Sequence, residues 1–319
     1  MAGTLIVSLD FELFWGMLDQ CALEAYQENV LGGRKAIPQM LELFRKYDIH
    51  ATWATVGFLF AENYEELKSY IPQKHPAYAD SRLDPYPWFD SIGENEETAP
   101  CFYAPSLIRQ IAKTPGQEIG THTFCHYYCR EQGQTPEQFA EDMAAAKKIG
   151  TAHGYDLTSV VLPRNQCEPE YTQVLRDLGF TAYRDEENDW IHEKIKFRPL
   201  LRILRLADVY LPLTGQGGYR PQNENGIWNF PGSRMMKPIF PALRFLESWK
   251  LRRIKKQMLH AAKHDLTFHL WWHPHNAGKH TEEYLAQLED VFRYYTQLKE
   301  KYGMCSLNMA EATAREEAK

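Results

Sequence analysis

The chain has 319 residues with 36 Lys and Arg against 42 Asp and Glu, a net charge of −6, and no basic tract long enough to follow a phosphate backbone, so nucleic acid is not an expected partner. No stretch reaches the length of a membrane span, and "MAGTLIVSLDFE" lacks the basic start and long apolar run of a secretion signal, so a soluble, cytoplasmic protein is expected. The cysteines, Cys21, Cys101, Cys125, Cys129, Cys167 and Cys305, are too dispersed for a disulfide scaffold and read as buried thiols.

Along the chain, β-branched runs alternate with amphipathic ones. "TLIVSLDFE" (4–12) reads as a strand, and 32–49 follows with apolar residues at helical spacing. Residues 50–58 predict a strand, 104–113 a short helix, and 118–124 a strand again. A helix starts at the Thr135 N-cap, with Pro136 in its first turn and Gly154 as its stop. Strand 157–165, helix 168–179 and strand 180–185 come next. The chain ends with a helix around 242–264, strand 266–275, a helix from Thr281 to Tyr302, strand 305–310 and a charged tail, "ATAREEAK", expected to fray. Repeated βα units imply a parallel α/β sheet, and its closure into a barrel is favoured because the chemistry-bearing residues fall at the C-terminal ends of strands. One domain over 1–319 is expected, with insertions at about 60–104 and 186–240 laid over that end as long, aromatic-rich loops.

Several clusters carry the chemistry. Alternation along a strand puts Asp10 and Glu12 of "DFE" on one face and Phe11 on the other. In "EIGTHTFCHYYC", His122 and His126 are four apart, a spacing that lets two imidazoles face one metal. A carboxylate as third ligand leaves an open coordination position, as catalytic zinc sites do. The closed alternative, with Cys125 and Cys129 completing the set, would need every ligand from one short segment. In "FHLWWHPHN", His269, Trp271 and His273 share a face, with His273 towards the barrel mouth, Trp271 beneath it, and His269 deeper and structural; His275 follows in the loop. "LPRNQ" places Arg164 at a strand end, where a bidentate pair could hold an acid ionised.

In this order, "SLDFE", "HTFCH", "LPRNQ" and "WWHPHN" resemble the successive motifs of the polysaccharide deacetylases, carbohydrate esterase family 4, and within them the branch found with surface-polysaccharide biosynthesis. The resemblance runs from residue 4 to about 310. It implies a distorted (β/α)7-type barrel, a divalent metal with zinc as first choice, and a carbohydrate N-deacetylase. Matched position by position, it implies Asp10 as general base, Glu12, His122 and His126 as metal ligands, Arg164 beside the base and His273 as catalytic histidine. An aspartate that tunes the histidine would be Asp185 or Asp189, the latter with Trp190, and Asp185 is preferred because it ends its strand. Asn165, Trp271, Trp15, Asp185 and His275 are the residues expected around the sugar.

The mechanism so implied has the metal polarise an amide carbonyl and activate water, while Asp10 takes the proton. A backbone N–H near Asn165 would help hold the oxyanion, and His273 would protonate the departing amine. The expected substrate is a nucleotide- or lipid-linked N-acyl amino sugar, with acetyl ahead of formyl as the acyl group. The basic stretches 198–205 and 249–256 could meet a pyrophosphate or could be solvated helix faces. A cyclic amide or ureide hydrolase of the same barrel family and a sugar-binding pseudoenzyme are the alternatives.

Overall fold

In the computed structural model, residues 2–187, 191, 195 and 197–319 are described. The strands are β1 (Thr4–Phe11), β2 (Ala51–Thr55), β3 (Gln117–Thr121), β4 (Ser159–Val161), β5 (Ala182–Arg184), β6 (Gln222–Glu224), β7 (Ile227–Asn229), β8 (Arg234–Met235), β9 (Thr267–Trp272) and β10 (Cys305–Leu307). They form one sheet in the order β6-β7-β5-β4-β3-β2-β1-β9-β8, with β10 added alongside β1. Every pairing is parallel except that of β6 with β7. The helices are α1 (Leu23–Tyr47), α2 (Tyr64–Ser69), α3 (Pro105–Ala112), α4 (Pro136–Ala152), α5 (Pro169–Asp177), α6 (Arg198–Tyr210), α7 (Glu247–Lys263), α8 (Thr281–Tyr302) and α9 (Met309–Glu317).

This is the expected α/β architecture, and its ladder does not close. The sheet is nonetheless strongly curled. In a flat sheet with a spacing of about 4.8 Å, β5 and β1 would stand roughly 19 Å apart. Yet Arg184 on β5 reaches the Asp10 carboxylate on β1 at 2.7 Å. Side chains on the concave face sort by height. Ile6, Ala54, Val161, Ala182 and Phe230 form an apolar layer. Ser8 and Arg184, one inward-facing step beyond Ile6 and Ala182, and Asp10, a further step beyond Ser8, are buried and polar. The site therefore opens at the C-terminal ends, above an apolar floor.

That floor is closed by α9, where the end of a strand and then a fraying tail were expected. Met309 and Ala312 join the apolar layer. Asn308 caps the helix in a reciprocal capping box with Glu311. The Met309 and Ala310 N–H groups, orphaned in any first helical turn, are taken by Thr52 Oγ1 and the Glu118 carboxylate. Helix α1 likewise begins at Leu23, ahead of the Gly32-Gly33 pair that read as its start. Those glycines sit mid-helix because α1 lies against the turn that follows β9: a Cβ on Gly33 would fall 2.7 Å from His275 Cα. The two expected insertions are not bare loops either. The first holds α2 and short 3-10 turns, and the second holds α6, β6, β7 and β8. Among the described residues no helix is long and apolar enough to cross a membrane.

Candidate active site

Strand β1 and the residue that follows it present Ser8, Asp10 and Glu12 in succession on the concave face of the sheet. Arg184, fully buried, donates to both Asp10 oxygens at 2.8 and 2.7 Å, to Ser8 Oγ at 2.8 Å and, through Nε, to Asn165 Oδ1 at 3.0 Å. Its guanidinium lies 4.2 Å over the Trp271 ring. Ser8 Oγ is 2.7 Å from His269 Nε2, and His269 Nδ1 is 3.0 Å from the Phe230 carbonyl. The carbonyl can only accept, so Nδ1 carries the proton and Nε2 accepts from Ser8. Burial alone would raise the Asp10 carboxyl, but Arg184, His273 and His122 together outweigh it and hold it below its ordinary value.

Glu12 belongs to a second group. Its Oε2 lies 3.3 Å from His122 Nε2 and 3.0 Å from His126 Nε2. His122 Nδ1 donates to the Val161 carbonyl at 2.7 Å, which fixes the tautomer and leaves Nε2 as a lone-pair donor facing the carboxylate. Burial raises the Glu12 carboxyl, yet His273, His122 and His126 override it and hold it well below the ordinary range. A Cβ on Gly16 would overlap this carboxylate, so only glycine leaves Glu12 its place.

The segment that carries the two histidines is strained and pinned. Thr123 and His126 have φ of 66° and 62°, and Leu13, Arg164 and Asn165, after β1 and β4, are also left-handed. Asp142 on α4 pays for that strain by accepting from Phe124 N at 2.8 Å and Cys125 N at 3.1 Å, while Thr123 Oγ1 accepts from Tyr127 N at 2.7 Å. Cys125 and Cys129 pack in the core and take no part in the cluster. Burial pushes both thiols well above their usual value.

His273, just after β9, stands 3.6 Å from both Asp10 Oδ2 and Glu12 Oε1 and so bridges the two groups. His275 stacks on it at 5.0 Å. Burial and neighbouring His273 push His275 down to about 4, so it is a neutral wall of the site at physiological pH. The cavity above measures about 640 Å³ and is lined by Asp10, Glu12, His122, His126, Asn165, Trp271, His273 and His275, with Tyr26, Lys237 and Phe240 towards its rim.

The structure moves several expected residues. Arg164 lines the cavity but pairs with Asp19 at 2.6 Å and Glu131 at 2.7 Å, over the Tyr128 ring; Arg184 holds Asp10 instead. The reason is local. Strand β4 ends at Val161, alternation stops there, and a left-handed Arg164 turns away while Asn165 turns in. The Asn165 N–H is spent on the Leu162 carbonyl at 2.8 Å and cannot face an oxyanion. Asp185, next after Arg184, faces a separate cavity of about 530 Å³ with Cys167, Tyr183 and Glu224, away from His273. Trp15 is buried and donates to the Phe102 carbonyl at 2.8 Å, packed against Phe58 and Phe89 rather than exposed to a sugar. Asp189 and Trp190 lie outside the described residues. Ser8, Arg184 and Asp142 were not foreseen. The usable signal for Arg184 was its place on the inward face of a strand, two residues after Ala182, where a buried guanidinium needs a carboxylate.

Burial, with Arg184 adding to it, pushes His269 down from 6.5 to about 3, so it stays neutral in the fold. The unfolded chain binds the extra proton first, and stability therefore falls with pH across that window. The loss from this residue approaches 1.4 kcal/mol per pH unit. Urea unfolding at pH 7 and pH 5 is expected to show the drop, and His269→Gln to flatten it; an equally steep profile in that variant would refute the assignment.

Fold and cluster together define an α/β protein with a buried Glu–His–His group and an Asp–Arg pair at the C-terminal ends of its strands. Residues 31–183 match the family model for polysaccharide deacetylase, which supports a polysaccharide deacetylase domain in this chain. The matched stretch holds His122, His126 and Arg184's strand but for that arginine itself, and excludes the acids of β1 and His273. Among solved structures, a Mycobacterium smegmatis protein assigned as a polysaccharide deacetylase aligns with a TM-score of 0.63 at 12% identity, over 100% of this chain and 92% of that one. PuuE allantoinase aligns with a TM-score of 0.59 at 12% identity, over 99% and 89%. A Pseudomonas aeruginosa PAO1 protein, also assigned as a polysaccharide deacetylase, gives 0.58 at 12%, over 98% and 89%. At that identity these likenesses establish the fold. No curated protein matches the sequence.

Proposed function

We propose that the protein is a metal-dependent hydrolase that removes an N-acyl group, acetyl first, from an amino sugar carried on a nucleotide or lipid. The observation that carries this reading is the joining of two groups in one cavity: Glu12, His122 and His126 on one side, the Arg184-held Asp10 on the other, with His273 3.6 Å from both carboxylates. The first group suits a divalent ion. Its donor atoms lie within 4.8 Å of one another, and the 3.0 and 3.3 Å separations approach the edge of a tetrahedron with bonds of about 2.1 Å, roughly 3.4 Å. An ion held there, zinc by donor type, would supply Lewis acidity to the acyl carbonyl.

The chain's own residues supply the remainder. Asp10 is ionised by its neighbours and takes the proton of an attacking water; Arg184 keeps it charged and aimed. His273 gives a proton to the departing amine, without which an amide nitrogen leaves poorly. Trp271 and His275 wall the pocket. Cytoplasmic action in surface-polysaccharide synthesis is part of the same proposal, consistent with a polysaccharide deacetylase domain acting on a soluble or lipid-carried precursor. The test is to load the purified protein with zinc and offer nucleotide-linked N-acetyl and N-formyl amino sugars alongside allantoin. Acetate release is expected. Turnover of allantoin alone would replace the reading with a ureide hydrolase, and no turnover of any member with the metal bound would leave a binding protein.

A further inference from the structure

Among the described residues, the large apolar side chains that stand exposed are Phe197, Leu200, Ile203, Leu206, Leu211, Phe240, Phe245 and Trp249, all within one stretch of sequence. Ile203, Phe197 and Phe245 are 65%, 68% and 76% exposed, values a solvated surface rarely keeps for residues so large. They sit on or beside α6, the 3-10 turn Pro241–Leu246 and α7. On α6, Leu200, Ile203 and Leu206 recur every third residue, so they are neighbours along one side of the helix. Phe245 and Trp249 lie on the 3-10 turn Pro241–Leu246 and on α7, which that turn enters and against which α6 packs.

Charge marks the same stretch. Residues 197–256 hold twelve Lys and Arg against three Asp and Glu, +9, which leaves −15 on the rest of a chain whose total is −6. Some of these cations are internal: Arg234 and Arg253 both pair with Asp208, and Lys250 pairs with Glu247. Others are not. Arg202, Arg205, Arg252 and Lys256 are exposed, and no ion pair joins them to a carboxylate among the described residues. Apolar residues interleaved with exposed cations on neighbouring helices make a surface that buries shallowly in a lipid interface while its charges meet anionic headgroups. A protein partner would have to match both features; an anionic bilayer does so by its composition.

We infer that α6 and the start of α7 form a membrane-docking face for anionic lipid. The face reaches the active site: Phe240 and Lys237 line the catalytic cavity, and Arg205 lines a small adjoining cavity of about 50 Å³ that shares Met235, Lys237 and Trp271 with it. The inference deepens the reading above, because a cavity that opens at a lipid surface suits the lipid-carried substrate rather than the nucleotide-linked one. Its test reads binding without turnover and so stands or falls apart from that reading.

The test is flotation of the full chain with phosphatidylcholine vesicles containing roughly one-third phosphatidylglycerol, and with vesicles of phosphatidylcholine alone. Binding to the anionic vesicles is expected, weakened by salt and by omission of the anionic lipid. The variant Ile203→Glu/Phe245→Glu/Trp249→Glu is expected to lose about tenfold or more in partition with its thermal melt unchanged. Arg202→Glu/Lys256→Glu should lose the salt-sensitive part while its melt is also kept. No binding by the wild type, equal binding by the triple variant, or a wild-type dimer in sedimentation that the triple variant converts to monomer would each overturn the inference.

Discussion

His122→Ala/His126→Ala is expected to bring bound zinc down to background and to lower hydrolysis by about 10³-fold or more, the several kcal/mol that a Lewis acid contributes. The two imidazoles supply two of the three donors, and Glu12 alone is a monodentate or bidentate carboxylate of the kind that surface acids offer everywhere. The double variant also leaves Glu12 buried with only His273 of the three imidazoles that hold it ionised, so its pKa should rise. Metal content by mass spectrometry after dialysis checks the first claim. A thermal melt with and without zinc checks the second: ligand at a hundredfold excess over Kd stabilises a folded protein by about 2.7 kcal/mol, and only the wild type should rise. A variant that keeps its metal and its activity would show that the cluster is a buried hydrogen-bonded group and nothing more.

The cluster was legible because its members obey local rules. Asp10 and Glu12 are two apart on a strand, His122 and His126 four apart across a strand end, and each spacing constrains which way the side chains point. Where local order ended, so did legibility. Arg164 follows a three-residue strand, and one left-handed residue redirected it. Arg184 is joined to Asp10 across 174 residues of sequence, a pairing set by how far the sheet curls, which no window of sequence reports. The long helix α1 was cut short at Gly32 and Gly33, because the close backbone approach that makes glycine necessary there comes from the turn after β9. The C-terminal helix was read as the end of a strand and a charged tail for a similar reason: its few apolar residues, Met309 and Ala312, matter only because they join the apolar layer beneath the site. Misplacing Trp15 followed from its type alone. An aromatic residue near a catalytic strand can face either a ligand or the core, and here the Phe102 carbonyl and the rings around it settle the matter.

Arg184→Met and Arg164→Met should separate the two arginines. The first removes every hydrogen bond that holds a fully buried carboxylate ionised, and breaking such a pair from one side typically costs about 3–5 kcal/mol. Its effect on the reaction has a sign that can be derived. Asp10 is below its ordinary value only because Arg184, His273 and His122 outweigh burial. Without Arg184 the balance tips towards burial, the pKa rises, and the base becomes protonated at higher pH, so the acid limb of kcat/KM should move upward. Arg164→Met loses two half-exposed ion pairs, to Asp19 and Glu131, each worth about 1 kcal/mol or less, and should leave that limb where it is. Adding Asp10→Asn to Arg184→Met gives the decisive comparison. If the arginine's cost is the stranded charge, the double variant recovers stability relative to Arg184→Met, since the neutral amide no longer needs a cation, while activity stays lost. If Arg184 merely fills space, the two losses add, and the pH limb of Arg184→Met coincides with that of Arg164→Met.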